Sequence, residues 1–537
     1  MNIKRNYKLL LQEKIKISFF VLFFSVINIL YSYPFFKNLD NLNISFLFTF
    51  TIVLCQLCLY SIFFSLLLWK KTIKYVVPFF LFWNAFTLYF TLKFNVPINT
   101  NMLINTIETN VGEMSELLSS GLFFYILFFG ILPYFIFYNV KNIKIETLKV
   151  KCAYFVFSVF FLISLILLNG KNFALLRQNR ELSGYLPPFN YTFGSVNAAY
   201  KKIRGYITKN IKKEPLISII EDSTLINTTK PTLIIFLIGE TTRAKNIGWN
   251  GYERNTMEFL ESYKKDIINF SNWYSCNTST FNSIPCMFGF DDSFSYKKIL
   301  KYENYLHILK KLNFNLYWFS NNGGCKGVCE DAIPEHKIIK SPDGDDMELL
   351  QEVKKLELAK QNTIVYLHLR GSHGPEYYKR YPIDFEYYNP VCKYKEIRNC
   401  ENQSIVNAYD NSVRYNMFVI AKIIDFLKIQ EKRFNVALFF TADHGESLGE
   451  NGFYLHAAPM FLVKDTQGHP ASFLWMPSET LKNLKVDKQC LSQWQSKTET
   501  EGKGFSHFNI FHSIIGLFNI KNKYYNSSMD IFSTCRK

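Results

Sequence analysis

A carboxylate and an imidazole stand side by side in the segment Thr441-Ala442-Asp443-His444-Gly445-Glu446. The apolar run 435–440 precedes them, and a short apolar run ending in a turn is typical of a buried strand in an α/β sheet. Open α/β sheets place their sites at the carboxyl ends of such strands. Because carboxylate oxygen and imidazole nitrogen are both zinc ligands, this pair indicates a metal site, with a hydrogen-bonded turn as the alternative.

Three other strand-like runs end in polar residues that could join this pair. The run 232–239 leads into Glu240, and a buried carboxylate without a partner is costly. Glu240 therefore requires a cation, which is either a metal ion or the nearby Arg243. The remaining polar candidates stand at or after the ends of the runs 315–320 and 363–368, or beyond Glu446. They are Asn322, Lys326, His368, His373 and His456.

A candidate nucleophile lies in Cys276-Asn-Thr278-Ser-Thr280-Phe-Asn-Ser-Ile-Pro-Cys286. A hydroxyl is a poor nucleophile at neutral pH unless a base or a metal ion gives it alkoxide character. Zinc can do this while it polarises a phosphoryl oxygen. A loop closed by a disulfide would hold such a threonine rigidly, whereas an ordinary Ser/Thr-rich turn is the alternative.

The amino-terminal part of the chain has a membrane pattern. Basic residues are concentrated at the amino terminus and in the second and fourth loops between five apolar segments. This distribution puts the amino terminus in the cytoplasm and everything beyond about residue 170 outside. Five segments are long and apolar enough to span a bilayer: 17–36, 44–69, 75–92, 121–139 and 152–169.

The composition agrees with a membrane location. Aromatic residues make up 17% of the 537 residues, and 53 of them are Phe, which is high for a soluble protein. The formal net charge of +17 could suggest nucleic acid, but no RRM, helix-turn-helix or zinc-finger pattern is present. An anionic membrane surface or an anionic glycolipid is the better interpretation of this charge, and no nucleic-acid partner is expected.

The chain divides into three regions by pattern. Residues 1–170 form a five-helix transmembrane domain, and 231–537 alternate apolar runs with polar helical stretches, as expected for an α/β domain. The bridging segment 171–230 contains Pro187-Pro188 and a basic stretch, 197–213. This stretch either lies on anionic headgroups along the membrane surface or is a solvated linker.

Cysteine positions fit an oxidising compartment for the second half. Cys55, Cys58 and Cys152 lie in or at membrane segments and are expected to be free thiols. The other eight lie outside, and an even number in an oxidising compartment favours disulfides over a cysteine zinc site. Close spacing suggests three bridges and leaves a weaker fourth: 276–286, 325–329, 392–400 and 490–535.

Several motifs together resemble one family, the lipid A phosphoethanolamine transferases, which include the mobile colistin-resistance enzymes. The match runs over essentially the whole chain, and its motifs are distinctive. They are Gly-Glu-Thr-Thr-Arg-Ala (239–244), Asn-Gly-Tyr-Glu-Arg (250–254), Cys-Asn-Thr-Ser-Thr (276–280), Ser-His-Gly-Pro (372–375), Gln-Ser-Ile-Val-Asn-Ala-Tyr-Asp-Asn (403–411) and Asp-His-Gly-Glu-Ser-Leu-Gly-Glu-Asn-Gly (443–452).

The resemblance implies an alkaline-phosphatase/sulfatase-like periplasmic α/β domain with a central, mostly parallel sheet, beside five membrane helices. It implies one tightly bound zinc ion on four residues: Glu240, the nucleophile Thr280, Asp443 and His444. Two histidines would bind substrate or a second zinc ion, namely His373 and His456. Residues that would contact the phosphoryl group or lie near the zinc ion are Thr278, Asn322, Lys326 and Glu446. Asn105, Thr109 and Glu113 would contact the ethanolamine end of the substrate. That last trio also shares one helix face by its spacing, for which a solvated surface is the alternative. We expect structural roles for His368, His507 and His512.

The implied activity is ping-pong transfer of phosphoethanolamine from phosphatidylethanolamine to lipid A or another envelope glycan, by a monomer in the inner membrane of a Gram-negative bacterium. Lower surface negative charge would then reduce binding of polymyxin and other cationic peptides. Three alternatives stay open: a sulfatase-like hydrolase, a glycerophosphotransferase, and a non-catalytic envelope scaffold. The Cys/Ser-x-Pro-x-Arg signature of sulfatases does not occur around Thr280.

Overall fold

The computed structural model divides into two compact units, one of Met1–Leu103 with Leu118–Ala198 and one of Ile104–Leu117 with Ala199–Lys537. It describes the following residues: 15–40, 44–69, 71–108, 117–138, 143–144, 148–169, 173, 176, 179–208, 213–216, 228–291, 298, 301–333, 336–338, 345–493 and 504–537.

The first unit is helical. Its helices, with two that continue into the second unit, are Ile17–Tyr31, Tyr33–Leu39, Phe46–Leu67, Ile73–Lys93, Thr100–Glu108, Ser120–Tyr125, Leu132–Tyr138, Leu148–Leu168 and Phe189–Thr208. Three are long and apolar enough to cross a membrane by length and composition: Phe46–Leu67, Ile73–Lys93 and Lys149–Leu168. The bent pair Phe20–Tyr31 and Tyr33–Leu39 would make a fourth. The described residues thus contain three or four candidate spans, and five spans stay a prediction.

The first predicted span, 17–36, bends by 49° at Ser32. Pro34 follows the bend, and proline has no N–H for the bond to residue i−4. The hydroxyl of Ser32 donates to the Asn28 carbonyl at 3.0 Å and lies 2.6 Å from the hydroxyl of Tyr60. A proline and a hydroxyl that bonds the backbone are both established causes of helix bends, so the bend follows from the local sequence.

The predicted span 121–139 is irregular for a related reason. It passes from α-helix through the π-helix Ile126–Ile131 and back to α-helix. Pro133 cannot donate to the Phe129 carbonyl four residues earlier, and the Tyr31 hydroxyl donates to that carbonyl instead. Because a bilayer interior offers no water to a freed carbonyl, this bond allows a proline inside an apolar helix.

The second unit contains a seven-stranded sheet. In chain order its strands are β1 (Thr232–Gly239), β2 (Ile267–Asn269), β3 (Asn315–Ser320), β4 (His336–Ile338), β5 (Thr363–His368), β6 (Asn435–Ala442) and β7 (Ser472–Trp475). The spatial order is β2-β7-β6-β1-β5-β3-β4, and β7 pairs antiparallel with both of its neighbours while the other pairs are parallel. The predicted α/β fold with a mostly parallel sheet is confirmed.

Every residue of the central strands β1, β5 and β6 is buried, as expected for parallel strands covered on both faces. The helices of this unit are Thr280–Phe288, Tyr305–Lys311, Met347–Lys354, Asn402–Gln430, Met460–Val463, Ser478–Asn483 and Asn509–Leu517. Among the described residues, three small strand pairs lie outside the main sheet: Trp273–Tyr274 with Phe505–Ser506 and Ser447–Leu448 with Tyr454–Leu455 in this unit, and Ile15–Lys16 with Ile143–Lys144 in the first. Four disulfides join Cys276–Cys286, Cys325–Cys329, Cys392–Cys400 and Cys490–Cys535.

An aromatic cluster packs against the sheet and fixes the central strands. The ring of Phe236 on β1 lies 5.1 Å from that of Phe439 on β6 and 5.5 Å from that of Tyr366 on β5. The Trp273 ring lies 5.7 Å from Phe439 on the same side. These contacts hold in register the three strands whose carboxyl ends carry the polar residues described below.

We expect Phe236→Ala to lower the free energy of unfolding by about 3–5 kcal/mol, because it removes a fully buried ring and leaves a cavity. Phe461→Ala is the matched control, since that ring is 47% exposed and its loss should change stability by less than about 0.5 kcal/mol. Denaturant unfolding of the detergent-purified chain measures both. Equal effects of the two substitutions would contradict this packing.

Candidate active site

Glu240 and Asp443 are neighbours because of the register between β1 and β6. Gly239 pairs with Ala442 at the end of these strands, so the next residue of each strand is a carboxylate. The backbone N–H of Asp443 donates to the Gly239 carbonyl at 2.9 Å and extends the pairing by one step. Both carboxylates are fully buried at the carboxyl edge of the sheet.

Thr280 brings a hydroxyl to the same place. Its Oγ1 lies 3.3 and 3.2 Å from Glu240 Oε1 and Oε2, and 3.3 Å from His444 Nε2. The residue opens the helix Thr280–Phe288, whose amino-terminal end carries partial positive charge that favours an anion. Unlike its buried neighbours, Thr280 is partly exposed, so a substrate can reach its hydroxyl.

The tautomer of His444 is set by the backbone. Its Nδ1–H donates to the Gly445 carbonyl at 2.8 Å, which leaves the lone pair of Nε2 directed at the carboxylates. Nε2 lies 3.5 Å from Glu240 Oε1 and 3.2 Å from Asp443 Oδ2. Burial, followed by the charge of His456, lowers the pKa of His444 to about 3, so the ring is neutral at pH 7, the form that binds metals.

These side chains fit a zinc ion. Ligand atoms from Glu240, Asp443 and His444 all lie within 4.8 Å of one another. Asp443 Oδ2 is buried without a hydrogen-bond partner among the residues that the structure describes. Burial raises the pKa of Asp443 to about 6, because removal from water penalises its charged form. Three buried O and N donors and a nearby hydroxyl match the ligand types and number of a four-coordinate zinc site.

Asn322 and His368 line the side of Glu240 nearest β3 and β5. Asn322 Nδ2 donates to Glu240 Oε2 at 2.5 Å and lies 3.4 Å from His368 Nε2. His368 Nε2 in turn lies 3.8 Å from Glu240 Oε2. Burial, then the charge of the partly exposed Lys326, lowers the pKa of His368 to about 3.

His373 and His456 form a second group beside His444. Their ring centroids are 5.2 Å apart, and the His456 ring is 4.6 Å from that of His444. Burial, then the charge of His456, lowers the pKa of His373 well below its ordinary value. Glu446 is fully buried and accepts hydrogen bonds from His456 Nδ1 at 3.1 Å and from the Tyr377 hydroxyl at 2.8 Å. The bond to Glu446 fixes the orientation of the His456 ring.

Two residues that the sequence analysis placed at the site, Thr278 and Arg243, make contacts different from those expected. The Thr278 hydroxyl donates to the Ala458 carbonyl at 2.7 Å and so fixes the loop that carries His456. Arg243, the alternative partner of Glu240, instead lies 2.6 Å from Glu450 Oε1 and donates to the Glu446 carbonyl at 3.0 Å.

Of the three residues expected at the ethanolamine end, Thr109 and Glu113 lie outside the described residues. Asn105 belongs to the helix Thr100–Glu108, but its side chain also lies outside the described part of the chain. Their proximity to Thr280 therefore stays a prediction.

Sequence reasoning missed residues that support the site without lining it. The buried carboxylate of Asp346 accepts the backbone N–H groups of Arg370 and Gly371, both at 2.9 Å, and so fixes the loop before His373. Asn321 Nδ2 donates to the same carboxylate at 2.9 Å. Asp346 directly precedes the helix Met347–Lys354 and does not stand at the end of an apolar run in the sequence, so no local pattern points to it. His368, in contrast, was already a candidate, because it is the last residue of β5.

The two remaining unassigned histidines bond to the backbone. His507 Nε2–H donates to the Ala442 carbonyl at 3.0 Å, directly behind Asp443. His512 Nδ1 accepts the N–H of Asn526 at 3.1 Å, between two segments near the carboxyl terminus. Burial lowers the pKa of His507 to about 3 and that of His512 to about 4, so both rings are neutral at pH 7.

Comparison with known proteins places this geometry in a family. Residues 56–203 match the family model described as Phosphoethanolamine transferase EptA/EptB, and residues 232–520 match the model Sulfatase. The phosphoethanolamine transferase EptA of Escherichia coli K12 is 33% identical over 470 residues, covering 84% of this chain and 83% of that protein. The chain belongs to the phosphoethanolamine transferase family.

Further members support this assignment. EptA of Helicobacter pylori is 30% identical and covers 95% of both chains, and the phosphatidylethanolamine transferase Mcr-2 of Escherichia coli is 32% identical over 79% of this chain and 82% of its own. The solved structure of the integral membrane lipooligosaccharide phosphoethanolamine transferase A from Neisseria meningitidis superposes with a TM-score of 0.83. It is 28% identical and covers 96% of this chain and 98% of its own.

The depressed pKa of His512 predicts a pH dependence of stability. Between pH 6.5 and about 4 the unfolded chain binds a proton at this residue that the folded chain does not, so stability falls as the pH falls through this window. At pH 5 the loss from this residue is about 2 kcal/mol. We expect His512→Asn, whose Oδ1 can accept the same N–H, to reduce the drop in unfolding free energy between pH 7 and 5. An unchanged drop would contradict this assignment.

Proposed function

We propose that this family member transfers phosphoethanolamine from phosphatidylethanolamine to lipid A, or to another glycan of the envelope, through a phosphoethanolamine-threonine intermediate on Thr280. The observation that carries the proposal is the Thr280 hydroxyl, which lies within 3.3 Å of both Glu240 and His444 in a pocket of buried metal-ligand types. The names of its relatives, phosphoethanolamine transferase EptA and Kdo(2)-lipid A phosphoethanolamine 7''-transferase, support this donor group and acceptor class.

Four residues would hold the zinc ion: Glu240, Thr280, Asp443 and His444. Zinc bound there lowers the pKa of a hydroxyl ligand and withdraws charge from a phosphoryl oxygen. A second zinc ion at His373 and His456 belongs to the same proposal, supported by the 5.2 Å between their rings.

In the first half of the reaction the Thr280 hydroxyl, which would lose its proton to solvent on binding zinc, bonds through Oγ1 to the phosphorus of the donor, and the bond from phosphorus to the diacylglycerol oxygen breaks. The Asn322 amide fixes the orientation of Glu240, and the Lys326 ammonium offsets charge on the phosphoryl oxygens. His456, oriented by Glu446 through Nδ1, supplies a proton from Nε2 to the leaving diacylglycerol. Diacylglycerol then returns to the membrane.

In the second half an acceptor oxygen, such as a lipid A phosphate, attacks the phosphorus, and the bond to Thr280 Oγ1 breaks. The neutral ring of His373 or of His456 takes up a proton carried by the acceptor. Thr278 holds the loop of His456, and we propose that Asn105, Thr109 and Glu113 contact the ethanolamine end of the donor.

We further propose five membrane spans, a bridge over 171–230 along the membrane surface and a catalytic domain over 231–537 in the periplasm, for a monomer in the inner membrane of a Gram-negative bacterium. The three or four candidate spans and the eight cysteines joined in four disulfides support this arrangement. Anchoring the site at the membrane keeps the donor lipid at high local concentration.

Other members of the superfamily define the rival reactions. A sulfatase-like hydrolase would use water in place of the glycan acceptor, and a glycerophosphotransferase would use phosphatidylglycerol as donor. The match of residues 56–203 to the EptA/EptB model favours phosphoethanolamine as the transferred group.

Expression in a polymyxin-sensitive Gram-negative strain tests the proposal. We expect lipid A to gain phosphoethanolamine by mass spectrometry and the inhibitory polymyxin concentration to rise. Thr280→Ala should abolish both effects, since loss of a nucleophile costs on the order of 10³-fold or more in rate. Asn322→Ala should retain partial activity, because Asn322 touches Glu240 and not the reacting bond. Active protein that leaves lipid A unmodified would reject lipid A as the acceptor.

A further inference from the structure

The turn after Glu240 has an uncommon backbone conformation. Thr241 has φ +56°, a value that β-branched residues rarely adopt because Cβ crowds the backbone. Its N–H donates to Asp443 Oδ1 at 3.3 Å, so the turn also touches the second carboxylate. Such strain persists only where surrounding contacts enforce it, and those contacts identify residues that shape the site.

Tyr409 makes those contacts. It lies on the helix Asn402–Gln430 and is fully buried. Its hydroxyl donates to the Thr241 carbonyl at 2.7 Å and accepts the N–H of Arg243 at 2.9 Å. A single hydroxyl thus bridges both sides of Thr242 and closes the turn that presents Glu240.

The ring of Tyr409 is itself held from several sides. The Tyr377 ring packs edge-on at 5.4 Å, and the Arg243 guanidinium lies 5.5 Å from the Tyr409 centroid. The next residue, Asp410, binds Asn246 at 2.6 Å and Arg254 at 2.8 Å. These bonds tie together two sequence motifs, 250–254 and 403–411, that the proposed reaction leaves without a role.

We infer that Tyr409 is a positioning residue, which holds the strained turn at Thr241 so that the Glu240 carboxylate faces Thr280, Asp443 and His444. It touches none of the reacting atoms and acts through the backbone. The inference rests on the proposed function, because its consequence is measured at the proposed zinc site. Removing the hydroxyl should therefore weaken zinc binding more than it weakens the fold.

The test is zinc affinity of the full chain in detergent, measured by competition with a chromogenic chelator. We expect Tyr409→Phe to raise the zinc Kd about tenfold, as for loss of one buried hydrogen-bonded group. Tyr415→Phe is the matched control, because that buried tyrosine of the same helix donates to Asp345 and not to the turn. It should change the Kd less than twofold.

A second variant separates positioning from damage to the fold. In Thr241→Gly/Tyr409→Phe a glycine adopts the positive φ without strain, so zinc affinity should return to within about threefold of wild type. Wild-type affinity in Tyr409→Phe would overturn the inference. An equal loss in Tyr409→Phe and Tyr415→Phe, or no recovery with glycine, would do the same. Failure of the unsubstituted chain to bind zinc would reject the proposed metal site first.

Discussion

The repulsion between two buried carboxylates is the constraint on which the site depends. Glu240 and Asp443 are adjacent because neighbouring parallel strands end together, and both are removed from water. Two like charges about 4 Å apart repel by about 4 kcal/mol at an effective dielectric constant of 20. The repulsion destabilises the fold, so a protein that gained nothing from this arrangement would not keep it. A divalent cation between the carboxylates converts the repulsion into binding energy.

The surrounding residues act mainly to keep donors pointed at this centre. The Gly445 carbonyl selects the His444 tautomer, Asn322 fixes one oxygen of Glu240, and Glu446 orients His456. Thr280 is the exception, since it is partly exposed and stands at the amino-terminal end of a helix. The site therefore combines rigid buried ligands with one accessible hydroxyl, an arrangement suited to nucleophilic attack on a bulky phospholipid.

Much of this could be predicted from sequence, because buried parallel strands are continuous apolar runs and their ends share one edge. That rule found Glu240, Asn322, Asp443 and His444, the segment between Cys276 and Cys286 offered Thr280, and the family motifs gave these residues their roles. It could not find Tyr409 or Asp346, whose roles depend on a helix and a loop that meet the strand ends only after folding. The π-helix near Pro133 also involves a tertiary partner, the hydroxyl of Tyr31.

Peptide mass spectrometry of the Thr280 segment tests the central claim most directly. The detergent-purified chain would be incubated with zinc and phosphatidylethanolamine, with phosphatidylglycerol in parallel and Glu240→Ala as the control. Our account predicts a phosphoethanolamine adduct on Thr280 that is lost in the control. A glycerophosphate adduct, or no adduct from either lipid in protein that holds zinc, would contradict it.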